Sequence, residues 1–358
     1  MLFEDKVKFT VFGSSHSEAI GVSIEGIGFG ETVDMKELQA FVDRRKATGA
    51  CYSTKRLEPD TVVIERGIEN GVTSGGEIVA KIYNTNVRSS DYSAYKTCPR
   101  PSHADYAAIC KYGSDYDVSG GGRFSGRMTA PMCIAGGIAI QLLAAKGIRI
   151  GGYIQAIGSV CGKGYKLGGI TEEGVMSVHN DSFPLLDGSV KNAMMREIER
   201  ASLAGDSCGG VVECVVFGVP AGSGDVMRNS IESEISRNLF AIPAVKGVEF
   251  GSGFDIASMR GSSANDEFYF DENGQVKTLS NHNGGINGGL ANGMPITVRV
   301  AFKPVPSISI AQRTVNLATG ENTTVTVKGR HDSCFVPRAV PVVEAMVALA
   351  VINCVAKK

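Results

Sequence analysis

The sequence predicts one large domain in which helices and strands are mixed, and three observations predict it. Short β-branched runs recur at 61–65, 77–83, 211–217 and 296–302. Helical apolar patterns separate them, at 35–45, 104–112, 130–146, 191–204, 228–240 and 339–356. No repeat of about 20 to 50 residues, low-complexity tract or Pro/Ser-rich linker interrupts the chain, so a single domain over 1–358 is expected where length alone would allow two. The stretches 266–278 and 305–326 carry turn residues and little periodicity, and are expected to be long loops of the kind that often bear function.

Hydrophobic residues make up 43% and charged residues 20%, a composition that builds a core. Lys and Arg number 36 against 37 Asp and Glu, so no overall field attracts a polyanion; nucleic acid is disfavoured as a partner and anion recognition must be local. Glycine, at 45 residues, is well above the roughly 7% of ordinary usage and predicts close backbone approaches. The N-terminus lacks the basic segment and apolar run of a secretory signal. The apolar stretch 130–145 is interrupted by Pro131, Gly136, Gly137 and Gln141 and falls short of the ~20 residues of a membrane span, so no membrane is expected. Nine cysteines without a CxxC pair suggest neither a disulfide framework nor a zinc site, which fits the cytoplasm.

The first strand, 7–12, runs into Gly13-Ser14-Ser15-His16-Ser17. This lacks the last glycine of the GxSxG elbow, so a serine hydrolase is a weak reading; His16 is either a general acid at a strand end or a turn residue bonded to backbone. The first helix ends in Asp43-Arg44-Arg45-Lys46, where cations suit the macrodipole. Arg45 alone reads as an exposed cap, and joins an anion site only when Arg56 and the later arginines are considered. Arg100-Pro101-Ser102-His103 opens the next helix, where His103 either caps it or stands as a neutral donor and acceptor.

The most informative stretch is Ser119-Gly120-Gly121-Gly122-Arg123-Phe124-Ser125-Gly126-Arg127, just before a long helix. Its glycines let backbone approach a ligand, and its arginines oppose the positive helix end by ~0.3 to 1 kcal/mol each unless an anion sits among them, which favours phosphate or carboxylate binding over the alternative of a plain turn. The glycine-rich run 281–293 suits a flat heterocycle or a phosphate tail, although such pairs also mark ordinary turns. Near the C-terminus, Gly329-Arg330-His331-Asp332-Ser333-Cys334 leads to Arg338 and to Pro341, which suits the first turn of a final helix. Asp332 is an ion-pair member or a catalytic carboxylate; His331 with Cys334 lacks the further ligands of a metal site.

Taken in order, FGSSHSEAIG, DRRK, EPD, NTNVRSSDYS, RPSHADY, KYG, GGGRFSGRMT, GDSCGG, AVKGVEFGSGF, NHNGGINGGLANG, AFKP and GRHDSCFVPRAVPVVEAM resemble the chorismate synthase family over nearly the whole chain. The resemblance implies an α+β fold of that family's β-α-β sandwich type, helices enclosed between sheets, assembled as a homotetramer. It implies a lyase: anti 1,4-elimination of phosphate from 5-enolpyruvylshikimate 3-phosphate, giving chorismate, within the shikimate pathway of aromatic amino acid biosynthesis, with reduced FMN required but no net redox change. Such a substrate carries two carboxylates and a phosphate, and the resemblance assigns it Arg45, Arg127, Arg330 and Arg338. It further implies that His16 protonates the departing phosphate, that His103 lies by the flavin pyrimidine edge and protonates the reduced ring system, and that Asp332 assists proton removal through flavin N5. The implied FMN contacts are Arg123, Phe124, Ser125, Pro243, Ala244, Gly288, Lys303, Pro304, Val305, Pro306, Ser307 and Arg330. With no added reductase-like domain, reduced FMN is expected from an external flavin-reducing system, and direct use of NADPH is open.

Five positions depart from the commonest family pattern: Ser14 and Met128 stand for Glu, Ser17 for Gly, Phe124 for Ser and Cys51 for Arg. Phe124, Met128 and Cys51 motivate the alternative of a flavin- or phosphate-binding protein without catalysis.

Overall fold

The computed structural model describes residues 6–47, 58–85, 95–114, 116–162, 171–327 and 332–355. Its helices are α1 (Met35–Asp43), α2 (Asp105–Tyr112), α3 (Thr129–Ala144), α4 (Glu172–Val178), α5 (Lys191–Leu203), α6 (Ile231–Phe240), α7 (Gly261–Ala264) and α8 (Val336–Val355). Two larger antiparallel sheets flank the core. One runs in the order Lys8–Gly13, Ala19–Glu25, Ile78–Tyr83, Val63–Arg66. The other runs Val245–Phe250, Ile296–Phe302, Gly210–Phe217, Arg149–Ile157, Val160–Cys161. Helix α3 lies on the first sheet, α8 on the second, and the two helices pack against each other. This is the α+β sandwich, with helices between sheets.

The layering follows from α3 and α8 being predominantly apolar and buried along most of their length, which requires cover on nearly every side. The helical stretch Gly126–Ala144, which contains α3, and α8 are long and apolar enough to cross a membrane by length and composition, but 83% and 94% of their apolar windows are buried within the fold. Glycine sets how closely they approach. A Cβ on Gly136 of α3 would lie 2.2 Å from the Cβ of Ala345 of α8, and one on Gly137 would lie 2.7 Å from Leu38 Cδ1 of α1. A helical glycine costs about 1 kcal/mol relative to alanine, and the close three-helix contact offsets it.

Two expectations need correction. The stretch 266–278 contains a hairpin, Phe268–Phe270 with Val276–Thr278, and 305–326 contains another, Gln312–Asn316 with Glu321–Val325. Three-residue strands are too short to show a period, and all three residues of Phe268–Phe270 are exposed, so no burial alternation marks them. The final helix starts at Val336, so Pro337 occupies its first turn while Pro341 lies inside it.

Candidate active site

A cavity of about 650 Å³ opens where the end of α1, Asp60, the turn before α2, the glycine loop, residues 240–246, the 303–307 segment and the start of α8 meet. That volume lies within the roughly 300–1,000 Å³ of small-ligand sites. Its lining includes seven basic side chains, Arg45, Arg100, Arg123, Arg127, Lys246, Lys303 and Arg338, against three carboxylates, Glu58, Asp60 and Asp332. One wall is apolar, formed by Pro243, Ala244, Val305, Pro306 and Phe335. Ala244 holds φ at 76°, a left-handed conformation that costs of order 1–3 kcal/mol for a residue other than glycine and is typical of ligand sites.

The glycine loop separates the two histidines. Gly120, Gly121 and Gly122 have φ of 59°, 84° and 53°. A Cβ on Gly120 would lie 2.4 Å from His16 Cε1, and one on Gly121 would lie 3.3 Å from His103 Nε2. The strand-end turn is tied to this loop by Ser15, whose backbone N–H donates to Gly122 O at 3.3 Å and whose hydroxyl donates to Ser119 O at 3.1 Å. His103 lines the cavity; His16 stands directly behind Gly120. His103 caps nothing: the residue preceding α2 is Ala104, without a side-chain cap, and the His103 ring instead lies 2.6 Å from Asp105 Oδ1. Burial pushes the proton affinity of His103 down, against the pull of Asp105 and with further repulsion from Arg100 and Lys303.

Arg45 is the deepest cation. It is 2% exposed, which corrects its reading as a surface cap; its Nη1 approaches Asp60 Oδ2 only to 3.6 Å, and Nε and Nη1 have no hydrogen-bond partner among the described residues. Burial, opposed by Asp60 but reinforced by repulsion from Arg338 and Arg127, pushes it down to about 10, so it stays charged at neutral pH. Arg127 pairs through Nη1 with Asp60 and through Nε with Asn84 Oδ1 at 3.0 Å, while Nη2 has no partner among the described residues. Asp60 thus offsets the opposition between Arg127 and the start of α3. Arg338 reaches both carboxylate oxygens of Asp332, at 2.8 and 2.7 Å, and donates from Nε to Arg45 O at 3.0 Å.

Of the residues singled out from sequence, Arg45, His103, Arg123, Phe124, Ser125, Arg127, Pro243, Ala244, Lys303, Val305, Pro306, Ser307, Asp332 and Arg338 line the cavity. Pro304 does not line it, although its neighbours do, nor does Gly288, in the turn between Ile286–Asn287 and Leu290–Ala291. Arg330, with His331, Arg56 and Cys51, lies outside the described residues. Sequence reasoning did not assign Asp60, Arg100, Asp105 or Lys246; the EPD and RPSHADY motifs contain the first three, but nothing in them shows which side chains turn inward.

The chorismate synthase family profile matches residues 7–356. The chain belongs to the chorismate synthase family. Chorismate synthase of Thermococcus gammatolerans is 46% identical over 343 residues, covering 96% of this chain and 94% of that protein. The Dehalococcoides mccartyi (strain BAV1) chorismate synthase is 43% identical over 342 residues, covering 96% and 93%. A crystal structure of a chorismate synthase superposes with a TM-score of 0.76 at 26% identity, covering 97% of this chain and 91% of the other. The chain is therefore a carbon–oxygen lyase of this family. Of the departures from the family pattern, Met128 is buried in the core and does not line the cavity, while Phe124 does line it at 39% exposure. Ser17 closes its own turn, accepting from Ser14 N at 2.9 Å and donating to Ala19 O at 2.6 Å.

Proposed function

We propose that this protein eliminates phosphate from 5-enolpyruvylshikimate 3-phosphate to give chorismate, using reduced FMN without net oxidation, in aromatic amino acid biosynthesis. The observation that carries this reading is the set of buried guanidinium nitrogens on Arg45 and Arg127 that have no acceptor among the described residues, in a cavity rich in cations. Buried donors of this kind are costly unless an anion accepts from them, and a phosphate with two carboxylates supplies enough acceptors for several arginines. Arg45, Arg127 and Arg338 bind the substrate anions, and Asp332, gripped by Arg338, fixes that guanidinium in the wall.

For the flavin, Pro243, Ala244, Val305 and Pro306 offer an apolar surface that suits a flat ring, and Arg123, Ser125, Lys303 and Ser307 offer polar contacts. Bound reduced FMN supplies the electron density that makes the carbon–oxygen bond easier to break. His16, beside Gly120, gives a proton to the departing phosphate, so that the group leaves with less negative charge, and Asp332 assists removal of the ring proton that the same elimination expels. His103, on the opposite side of the loop beside Lys303, serves the flavin. A homotetramer in the cytoplasm, fed by a separate flavin reductant, completes the proposal.

Anaerobic incubation with photoreduced FMN and 5-enolpyruvylshikimate 3-phosphate tests it. Release of chorismate and phosphate with the flavin still reduced is expected. Binding without phosphate release would favour a non-catalytic flavin- or phosphate-binding protein, and stoichiometric flavin oxidation would favour an oxidoreductase.

A further inference from the structure

The turn before α2 holds a buried cluster that none of the roles above uses. Asp105, the first residue of α2, is almost fully buried and accepts from Arg100 Nε at 2.7 Å, Arg100 Nη2 at 2.8 Å and Arg100 N at 3.1 Å. Its Oδ1 also lies 2.6 Å from His103 Nδ1. Arg100 is held in turn by Ser307 Oγ, 3.3 Å from Nη1, and lies over the Tyr95 ring with Cζ 4.9 Å from the centroid. The carboxylate is thus fixed on one side by a guanidinium and on the other by an imidazole.

This geometry decides which nitrogen of His103 carries the proton. A carboxylate oxygen 2.6 Å from an unprotonated ring nitrogen would set two lone pairs against each other, so Nδ1 must be the donor. Arg100 Nη2 is also 3.1 Å from Nδ1, but an Nδ1 that donates to Asp105 has no lone pair in the ring plane to receive it; that guanidinium nitrogen is satisfied by Asp105. Nε2 remains, next to Gly121 of the glycine loop. We propose that Asp105, clamped by Arg100, is a positioning residue that fixes the proton of His103 on Nδ1 and leaves Nε2 to exchange protons with the cavity.

The charged groups around the ring support a poised rather than a fully protonated imidazole. Burial lowers its proton affinity most, Asp105 raises it, and Arg100 and Lys303 lower it; Lys303 reaches across from the opposite segment to donate to Ser102 O. Asp105 itself stays ionised, because the hydrogen bonds from Arg100 and His103 outweigh the cost of its burial. A single proton then resides on the ring near neutral pH, and where it resides matters.

The inference rests on the proposed role of His103 only for its effect on turnover; the position of the proton is measurable by itself. The full chain contains five histidines, so ¹⁵N-histidine spectra can be assigned to His103 by comparison with His103→Gln. The expected pattern is a protonated Nδ1 and an unprotonated Nε2 at neutral pH. Asp105→Asn should mix the two tautomers and move the titration midpoint down, Asp105→Glu should restore Nδ1–H, and Arg100→Gln should move the midpoint up. Opposite shifts from two partners of one ring are not what general loosening produces. If the single variants do not fold, the Arg100→Gln/Asp105→Asn double variant, which leaves neither charge unpaired, should show the same mixing. A proton on Nε2 in the parent protein, or Nδ1–H retained in Asp105→Asn, overturns the proposal. Asp105→Asn should also lower kcat by about tenfold or more with a smaller change in KM, recovered in part by Asp105→Glu. Mixed tautomers with full turnover would uphold the positioning role and overturn the part given to His103 in the reaction.

Discussion

Arg44 and Arg45 are consecutive in the chain, both sit at the end of α1, and they face opposite fates. Arg44 turns to α8 and forms two hydrogen bonds to Glu344, Nη1 to Oε2 at 2.6 Å and Nη2 to Oε1 at 2.9 Å, and Glu344 also accepts from Gly152 N at 2.7 Å. Burial works against its charge, but Glu344 outweighs it and raises its proton affinity. Arg45 turns to the cavity, finds its nearest carboxylate at 3.6 Å, and is pushed down to about 10. A buried cation with its partner supplied by the fold is structural; a buried cation whose donors the fold does not satisfy is a binding group.

The contrast breaks most visibly through Arg44. Arg44→Met strands Glu344, which is 1% exposed, and should cost about 3–5 kcal/mol in urea unfolding, most of it regained in Arg44→Met/Glu344→Leu. A loss well under 1 kcal/mol would mean that the pair is not what holds α1 to α8. Next in size, His16→Ala and His103→Ala should each lower turnover by ~10²-fold or more, about 2.7 kcal/mol, with far smaller effects on binding. Unchanged turnover in both would remove the roles proposed for them. Arg45→Met inverts the Arg44 result: equilibrium binding of the phosphorylated substrate should weaken by about 10- to 100-fold, as expected for hydrogen bonds to a charged group, while unfolding stability holds or rises. Full affinity with a loss of stability would make Arg45 a second structural cation.

The smallest effect concerns pH. His103 takes up a proton less readily in the folded protein than in the unfolded chain, so it contributes stability that is present above its unfolded value near ~6.5 and is lost as pH falls below it. Asp105, depressed mainly by its bonds to Arg100 and His103 against the cost of burial, contributes stability that is lost only below the ordinary carboxylate range. Urea midpoints measured from neutral to mildly acidic pH should therefore decline less in His103→Gln than in the parent; equal slopes would count against a buried, neutral His103.

The glycine loop was legible because three consecutive glycines before a helix leave few alternatives to a close backbone approach, and their positive φ values follow from that. The six longer helices were legible from periodicity, with boundaries displaced by a few residues at most. The hairpin at Phe268–Phe270 was not, because its exposed residues carry no burial pattern. Asp60 and Asp105 were missed for a different reason: an acidic residue in a motif has the same letter whether it faces water or braces a guanidinium.

By itself, the amino-acid order determined where most helices and strands lie and that three glycines before a long helix, beside two arginines, permit a close backbone approach and favour an anion over a plain turn. Those are local consequences of periodicity, side-chain volume and backbone freedom. Only the tertiary structure decided that Glu344, 300 residues away, satisfies Arg44 and leaves Arg45 for the cavity, and that Asp105 rather than a helix end holds His103. Charge pairing depends on distances of a few ångströms between groups that the chain brings together by folding, and such distances are not written in the spacing of letters.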